Sequence, residues 1–240
     1  MTSLLSPEKY DEIHQRMKQT GFRTGFACLF YGGPGTGKTE TAYQLARQTG
    51  RDIMVVEVPR IKSKWVGDSE KNIKALFDRY RELVKRTKLA PILLFNEADA
   101  IIGKRKSEAE SAVDKMENSI QNIILQEMEN LDGIMIATTN LQQNLDSAFE
   151  RRVLYKITFE KPSVEALSNI WQSMIPELER ADARKLAEKY NLSGGQIENV
   201  ARKHSISTIL HGKPSDLADT LSVFCSQEQI ADKSLRKIGF

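Results

Sequence analysis

The segment Gly32–Thr39 limits what this chain can fold into more than any other feature. It fits the pattern G-x-x-x-x-G-K-[ST] and directly follows the apolar run Ala27–Tyr31. Glycines let the backbone curl tightly enough for successive N–H groups to point at one anion, at the start of a helix that begins near Lys38. The segment therefore predicts a phosphate-binding loop between a strand and a helix.

Lys38 and Thr39 carry the chemistry of this interpretation. The lysine would reach the β- and γ-phosphates of a bound nucleotide, and the threonine hydroxyl would complete the coordination of Mg²⁺. The alternative is a glycine-rich turn that only joins a strand to a helix. The residues predicted to hold the nucleotide are consecutive: Gly33, Pro34, Gly35, Thr36, Gly37, Lys38, Thr39 and Glu40.

The pattern of apolar residues predicts an α/β fold followed by a helical domain. Strand-like runs alternate with segments of helical periodicity, which is typical of a parallel sheet flanked by helices that binds ligands at the carboxyl ends of its strands. After Pro162 only helical signals remain. We expect a parallel five-stranded sheet in residues 1–161 and a small all-α domain in residues 162–240. The predicted strands are Ala27–Tyr31, Ile53–Val58, Ile92–Phe95, Ile134–Thr138 and Val153–Phe159.

Composition excludes several classes of protein. Lys and Arg number 35 against 32 Asp and Glu, and this net charge of +3 gives no argument for a nucleic-acid partner. Two cysteines, Cys28 and Cys225, provide neither a disulfide framework nor metal-ligand spacing, and we expect core thiols. No apolar run is long enough to span a membrane, and the first residues lack the order of a signal peptide. A cytoplasmic location without a membrane partner is expected.

Two further apolar runs end in polar residues suited to a nucleotide site. Asn96 and Glu97 follow the run Pro91–Phe95, and Asn140 follows Ile134–Thr139. Together with the phosphate loop, these motifs resemble the AAA+ ATPases over nearly the whole chain. The family pattern has Asp followed by Glu where this sequence has Asn96 and Glu97.

The resemblance implies catalytic roles for these residues. Glu97 would polarise the attacking water, and Asn140 would hold that water or the γ-phosphate. Asn96 would take the place of the aspartate that supports Mg²⁺, with one negative charge fewer, so magnesium affinity or turnover could fall. For Asn140 the alternative is an amide that caps the turn after its strand.

Arginines of the segment Asp146–Arg152 resemble the fingers that this family extends to the nucleotide of a neighbouring subunit. A guanidinium there would stabilise charge on the transferring phosphoryl group. Arg152 is the first candidate and Arg151 the second, and ordinary surface arginines are the alternative. Tyr155 stands where many protein-remodelling members carry another arginine.

The predicted helical domain resembles the lid of the same family. Gly194 and Gly195 would let a helix start approach the adenine and ribose, and a helix cap without a ligand role is the alternative. Gln196 stands where some branches carry a phosphate-sensing arginine, so no such sensor is expected.

Trp65 and Val66 resemble the aromatic and apolar pair of the pore loop in AAA+ unfoldases. A large ring on a short loop can grip an extended polypeptide without reading its sequence. The alternative is a tryptophan that packs under the next helix. The charged stretch Lys104–Glu110 is either a second pore loop or a plain exposed loop.

The leading hypothesis is an ATPase that remodels or translocates a polypeptide through a homo-oligomeric ring, with six subunits expected. The second is a nucleotide-dependent switch or scaffold that hydrolyses poorly because of Asn96. A nucleic-acid motor or loader of the same fold is a third, which only scattered Lys and Arg support.

Overall fold

The structure is a computed structural model that describes residues 1–58, 69–104, 112–141 and 145–233. The chain divides into two compact units, Met1–Phe159 and Glu160–Phe240. The boundary expected from the sequence lies two residues further along the chain. Within the described residues, every helix is too short or too polar to cross a membrane.

The first unit alternates helices and strands. In chain order its elements are α1 (Thr2–Leu5), α2 (Pro7–Gln19), β1 (Phe26–Gly32), α3 (Lys38–Thr49), β2 (Ile53–Glu57), α4 (Ser69–Arg86), β3 (Ile92–Asn96), α5 (Asp99–Ile102), α6 (Ala112–Glu129), β4 (Ile134–Thr139), α7 (Ser147–Arg152) and β5 (Tyr155–Phe159).

The five strands form one sheet in the order β2-β3-β4-β1-β5, and each strand runs parallel to its neighbours. This confirms the predicted fold class. The last strand starts two residues later than predicted, because Val153 ends helix α7 and precedes the strand. Parallel strands bring Gly32, Asn96 and Thr139 to the same edge of the sheet, which is where a ligand site is expected.

Alternating side chains of the central strands build two apolar layers. In β3, Leu93 and Phe95 enter the layer that helices α4 and α6 cover, whereas Ile92 and Leu94 enter the layer on the other face with α1, α2 and α3. This follows from the two-residue period of a strand that is buried on both faces. Cys28 lies in the second layer, and burial raises the pKa of its thiol to about 12.

The amino-terminal ends of the strands are tied together by buried polar side chains. The Tyr80 hydroxyl donates to Pro91 O at 2.8 Å and accepts from Ile134 N at 2.8 Å. Arg51 is 4% exposed, donates to Leu5 O at 3.1 Å and to Ala90 O at 2.8 Å, and lies 4.4 Å from the centre of the Tyr10 ring. These contacts join helix α1 and strands β3 and β4 at one end of the sheet.

The second unit is helical in its described residues, as predicted. Its helices are α8 (Val164–Met174), α9 (Arg180–Tyr190), α10 (Gly194–His211) and α11 (Leu217–Lys233). Trp171 is among its most buried side chains and packs with Leu186 and Val200 in a separate core. Cys225 belongs to this core, and burial raises the pKa of its thiol to about 12.

Candidate nucleotide-binding site

The loop between β1 and α3 has a backbone that depends on glycine. Gly37 adopts φ 90°, a left-handed conformation, immediately before the first residue of α3. Gly32 ends β1 beside β5, where a Cβ atom would lie 2.1 Å from Phe159 O. The chain can therefore turn sharply at the carboxyl edge of the sheet and enter a helix whose first N–H groups face the loop.

Lys38 is a buried cation among neutral oxygens. Lys38 is only 7% exposed. Its Nζ donates to Gly32 O at 2.9 Å, Gly33 O at 2.7 Å and Asn140 Oδ1 at 2.9 Å. Burial lowers the pKa of Lys38, and the charge of Asp99 opposes that shift. Within the described residues Lys38 forms no ion pair, so its charge is left for an anion that enters the loop.

Asn96 joins the loop helix to the neighbouring strand. Its Oδ1 accepts hydrogen bonds from the Thr39 hydroxyl at 2.8 Å and from the Thr138 hydroxyl at 2.9 Å. Two donors occupy the two lone pairs of that oxygen. Asn96 therefore fixes the direction of both hydroxyl groups. Because the Thr39 hydroxyl donates its proton to Asn96, the lone pairs of the Thr39 oxygen stay available to a cation.

Glu97 follows in an unusual backbone conformation. Its φ is 54°, and its N–H donates to the Thr138 hydroxyl at 3.1 Å. The residue is exposed at the same edge as Lys38. A positive φ is uncommon for a long side chain, and such outliers are concentrated at functional sites.

Asn140 is held in place by Asp99. The carboxylate of Asp99 accepts from Asn140 N at 2.9 Å, from Leu141 N at 3.2 Å and from the hydroxyl of Thr139. The backbone of the turn after β4 is thus fixed while the Asn140 side chain reaches Lys38. Nothing in the sequence around Thr138 or Asp99 predicts a role for either residue, although both lie beside predicted site residues.

These residues fit a nucleoside triphosphate with Mg²⁺. Lys38 forms no direct ion pair among the residues described, so phosphate oxygens would supply the contact its charge lacks, and Thr39 offers a hydroxyl oxygen to a cation. Among the residues that the structure describes, no group of three or more His, Cys, Asp or Glu side chains could hold a metal alone. Mg²⁺ commonly keeps several waters and depends on substrate phosphates for its remaining ligands, so a site of this kind suits it.

Comparison with known proteins decides the family. The family described as "ATPase family associated with various cellular activities (AAA)" matches residues 28–161, which is more than half of the chain. This chain belongs to the AAA family. The matched range holds the phosphate loop, Asn96, Glu97 and Asn140, so the predicted AAA+ ATPase is confirmed.

Several AAA proteins align with most of this chain. A "Cell division cycle protein 48 homolog" of Archaeoglobus fulgidus is 30% identical over 217 residues, 85% of this chain and 28% of that protein. A "Proteasome-associated ATPase" of Thermobifida fusca is 34% identical over 188 residues, 69% of this chain and 31% of that protein. An "ATPase family protein 2 homolog" of Caenorhabditis elegans is 35% identical over 156 residues, 62% of this chain and 20% of that protein. The chain thus spans less than a third of the length of each of these relatives.

The two candidate finger arginines of this AAA chain have different surroundings. Arg152 has a side chain 23% exposed, pairs with Glu129 and donates to Ala148 O at 2.9 Å. Arg151 is exposed, and its Nε donates to Ser147 O at 3.2 Å. Arg152 is thus paired within its own chain and Arg151 is the more exposed of the two, and the finger role of either arginine stays a prediction. Because Arg152 and Glu129 are far apart in sequence, no sequence pattern near either residue predicts their ion pair.

The glycines of the second unit open a capped helix. The Ser193 hydroxyl accepts from Gln196 N at 3.3 Å, and the Gln196 side chain accepts from Ser193 N at 2.9 Å, which forms a capping box. A Cβ atom on Gly194 or Gly195 would meet nothing within 4 Å. The local fold therefore does not require these two glycines, and their predicted nucleotide contact stays a prediction. Trp65, Val66 and residues 105–110 of the charged stretch lie outside the described residues.

Proposed function

We propose that the first unit binds ATP with Mg²⁺ and hydrolyses it at the carboxyl edge of its sheet. The observation that carries this proposal is the buried Lys38 in a glycine loop, hydrogen-bonded to Asn140 and without a direct ion pair in the part of the chain that the structure describes. A cation in that position is costly unless an anion compensates it. Glu97, which directly follows strand β3, provides a carboxylate at the same edge of the sheet.

Each residue would make a separate contribution to hydrolysis. The loop N–H groups and Lys38 would orient the triphosphate, and Thr39 would hold Mg²⁺ while Asn96 fixes its hydroxyl. A bound Mg²⁺ would neutralise charge on the phosphate oxygens. Glu97 would accept a proton from the attacking water, and Asn140 would hold that water or the γ-phosphate.

Phosphate release tests this proposal. Glu97→Gln should lower the rate by about a hundredfold or more, because an amide is a poor proton acceptor, while ATP affinity stays within a few-fold of the parent. Glu82→Gln is a matched control on the exposed face of helix α4, and it should leave the rate unchanged. A parent rate that Glu97→Gln does not alter would contradict the assignment of Glu97.

We further propose that subunits complete one another's sites in a homo-oligomeric ring, with six copies expected, and that Arg151 reaches the neighbour's nucleotide. Arg151→Ala and Glu97→Gln should each be nearly inactive alone. Their mixture should regain activity, because the Glu97→Gln subunit would supply Arg151 to the intact site of its neighbour. Arg152→Ala, which breaks a pair within the chain, should behave as a folding defect that mixing does not rescue.

Coupling to a polypeptide is proposed from the resemblance of Trp65 and Val66 to a pore loop. The relative named "Proteasome-associated ATPase" supports a role in handling proteins. Trp65→Ala should keep basal phosphate release and lose its stimulation by an unfolded protein. Stimulation by single-stranded DNA in a salt-dependent manner would favour the nucleic-acid alternative instead.

The switch hypothesis has one specific observation in its favour. Asn96 replaces a carboxylate, and its oxygen already accepts two hydroxyl donors. If this weakens the magnesium site enough, the protein would bind ATP and hydrolyse it slowly. Tight ATP binding together with a negligible rate of phosphate release, unaffected by added protein substrates, would support the switch over the motor.

A further inference from the structure

The backbone of Glu97 requires support from outside its own strand. Glu97 and Asn191 are the non-glycine residues with positive φ in the described part of the chain. Asn191 ends helix α9, where a left-handed residue is common. Glu97 has no such explanation, and a left-handed conformation at a long side chain persists only when neighbouring contacts hold it.

Thr138 accepts hydrogen bonds from the backbone on both sides of the Glu97 Cα atom. The Thr138 hydroxyl accepts from Glu97 N at 3.1 Å, and the Thr138 carbonyl accepts from Ala98 N at 2.8 Å. The two peptide units that define φ and ψ of Glu97 are therefore both bonded to one residue of β4. Since Thr138 is 2% exposed, water has no access to replace its hydroxyl.

The direction of the Thr138 hydroxyl is set by the same contacts. Because its oxygen accepts from Glu97 N–H, its proton is free to be donated to Asn96 Oδ1 at 2.9 Å. Asn96 also accepts from the Thr39 hydroxyl. A continuous chain of hydrogen bonds thus runs from the phosphate-loop helix through Asn96 and Thr138 to the backbone of Glu97.

We propose that Thr138 is a positioning residue that fixes where the Glu97 carboxylate points. This rests on the proposed role of Glu97 in hydrolysis. The hydroxyl acts through the backbone and does not touch the reacting atoms. Removing it should release the Glu97 amide and let the carboxylate depart from its productive direction, while the Lys38 contacts that hold the nucleotide stay intact.

Thr138→Val is the test variant because valine keeps the shape and removes the hydroxyl. We expect kcat to fall about five- to tenfold with KM within twofold of the parent, as for the loss of one buried hydrogen bond used in positioning. Thr138→Ser, which keeps the hydroxyl, should retain most of the rate. Thr158→Val, at an exposed threonine on β5 whose hydroxyl bonds Tyr31, is the control for losing a threonine hydroxyl away from Glu97 and should leave kcat unchanged.

A second readout does not depend on hydrolysis. The Glu97 amide should exchange its hydrogen slowly in the parent and in Thr138→Ser, and at least about tenfold faster in Thr138→Val. If Thr138→Val does not fold, the comparison of Thr138→Ala with Thr138→Ser carries the same test. Unchanged exchange in the hydroxyl-free variant would overturn the proposal.

Combination with Glu97→Gln separates positioning from general damage. In that background Thr138→Val should lower the residual rate no further, because the group it positions is already lost. An equal drop in both backgrounds would overturn the proposal. If Glu97→Gln itself has no effect on the parent rate, the proposed function fails. If Glu97→Gln abolishes the rate and Thr138→Val keeps it, this inference alone fails.

Discussion

Two buried cations lie at opposite ends of the same sheet, and their surroundings differ in kind. Arg51, at the amino-terminal end, donates to carbonyls of two separate segments and stacks on Tyr10. Lys38, at the carboxyl-terminal end, bonds the glycine loop and one exposed amide, Asn140. In both, burial lowers the pKa of the side chain.

The comparison separates stability from function. The contacts of Arg51 come from backbone that the guanidinium joins together, so its burial serves the fold. Lys38 lies beside a loop whose N–H groups and helix start favour an anion, so its uncompensated charge serves binding. A buried charge therefore indicates a ligand site only where the neighbouring groups also suit the ligand.

The strongest expected effect on stability follows from Arg51→Met. It leaves the carbonyls of Leu5 and Ala90 without their donor and should cost about 3 kcal/mol, while the affinity of the folded protein for ATP stays unchanged. Urea unfolding and nucleotide titration measure the two quantities. Arg16→Met, on the exposed face of α2, is the control and should change neither. A loss of nucleotide affinity with full stability would break the comparison.

A smaller loss is expected from Tyr80→Phe at the same end of the sheet. Burial raises the pKa of this phenol well above its usual value, and removing the hydroxyl leaves Ile134 N–H without its acceptor. We expect about 1–2 kcal/mol of lost stability, read from urea unfolding, and an unaltered kcat. A reduced kcat at full stability would show that the two ends of the sheet are coupled.

The smallest effect is expected from Asn96→Asp, which tests how Asn96 contributes to the site at the carboxyl edge of the sheet. Asn96→Asp keeps an oxygen for the Thr39 and Thr138 hydroxyls and adds a second oxygen and a negative charge. ATP affinity should rise a few-fold with Mg²⁺ and fall a few-fold in EDTA, because the added charge attracts the cation and repels the phosphates. Identical ATP affinities of Asn96→Asp and the parent protein at every Mg²⁺ concentration would contradict this interpretation of Asn96.

Much of this site could be predicted from the sequence because its parts lie next to recognisable runs. The phosphate loop, Glu97 and Asn140 each follow an apolar strand, Asn96 ends one, and a parallel sheet brings such positions to one edge. The strand ranges were predicted to within two residues, since the buried runs have clear limits.

The missed features depend on contacts between distant parts of the chain. Thr138 meets Asn96 and Glu97 only because β3 and β4 pair with Phe95 opposite Ala137. The positive φ of Glu97 and the pairing of Arg152 with Glu129 likewise have no pattern in the nearby residues. In the sequence Arg51 is an ordinary charged residue after a helix. Its burial involves helix α1, which is distant in sequence and contacts its guanidinium through Leu5 O.

The most direct test of the central claim is the affinity of Lys38→Ala for ATP in the presence of Mg²⁺, measured by titration beside the parent protein. The account predicts at least about a hundredfold weaker binding, with a melting temperature no lower than the parent's, because the lysine charge is held for the phosphates rather than for the fold. Equal affinity in the two proteins would contradict it.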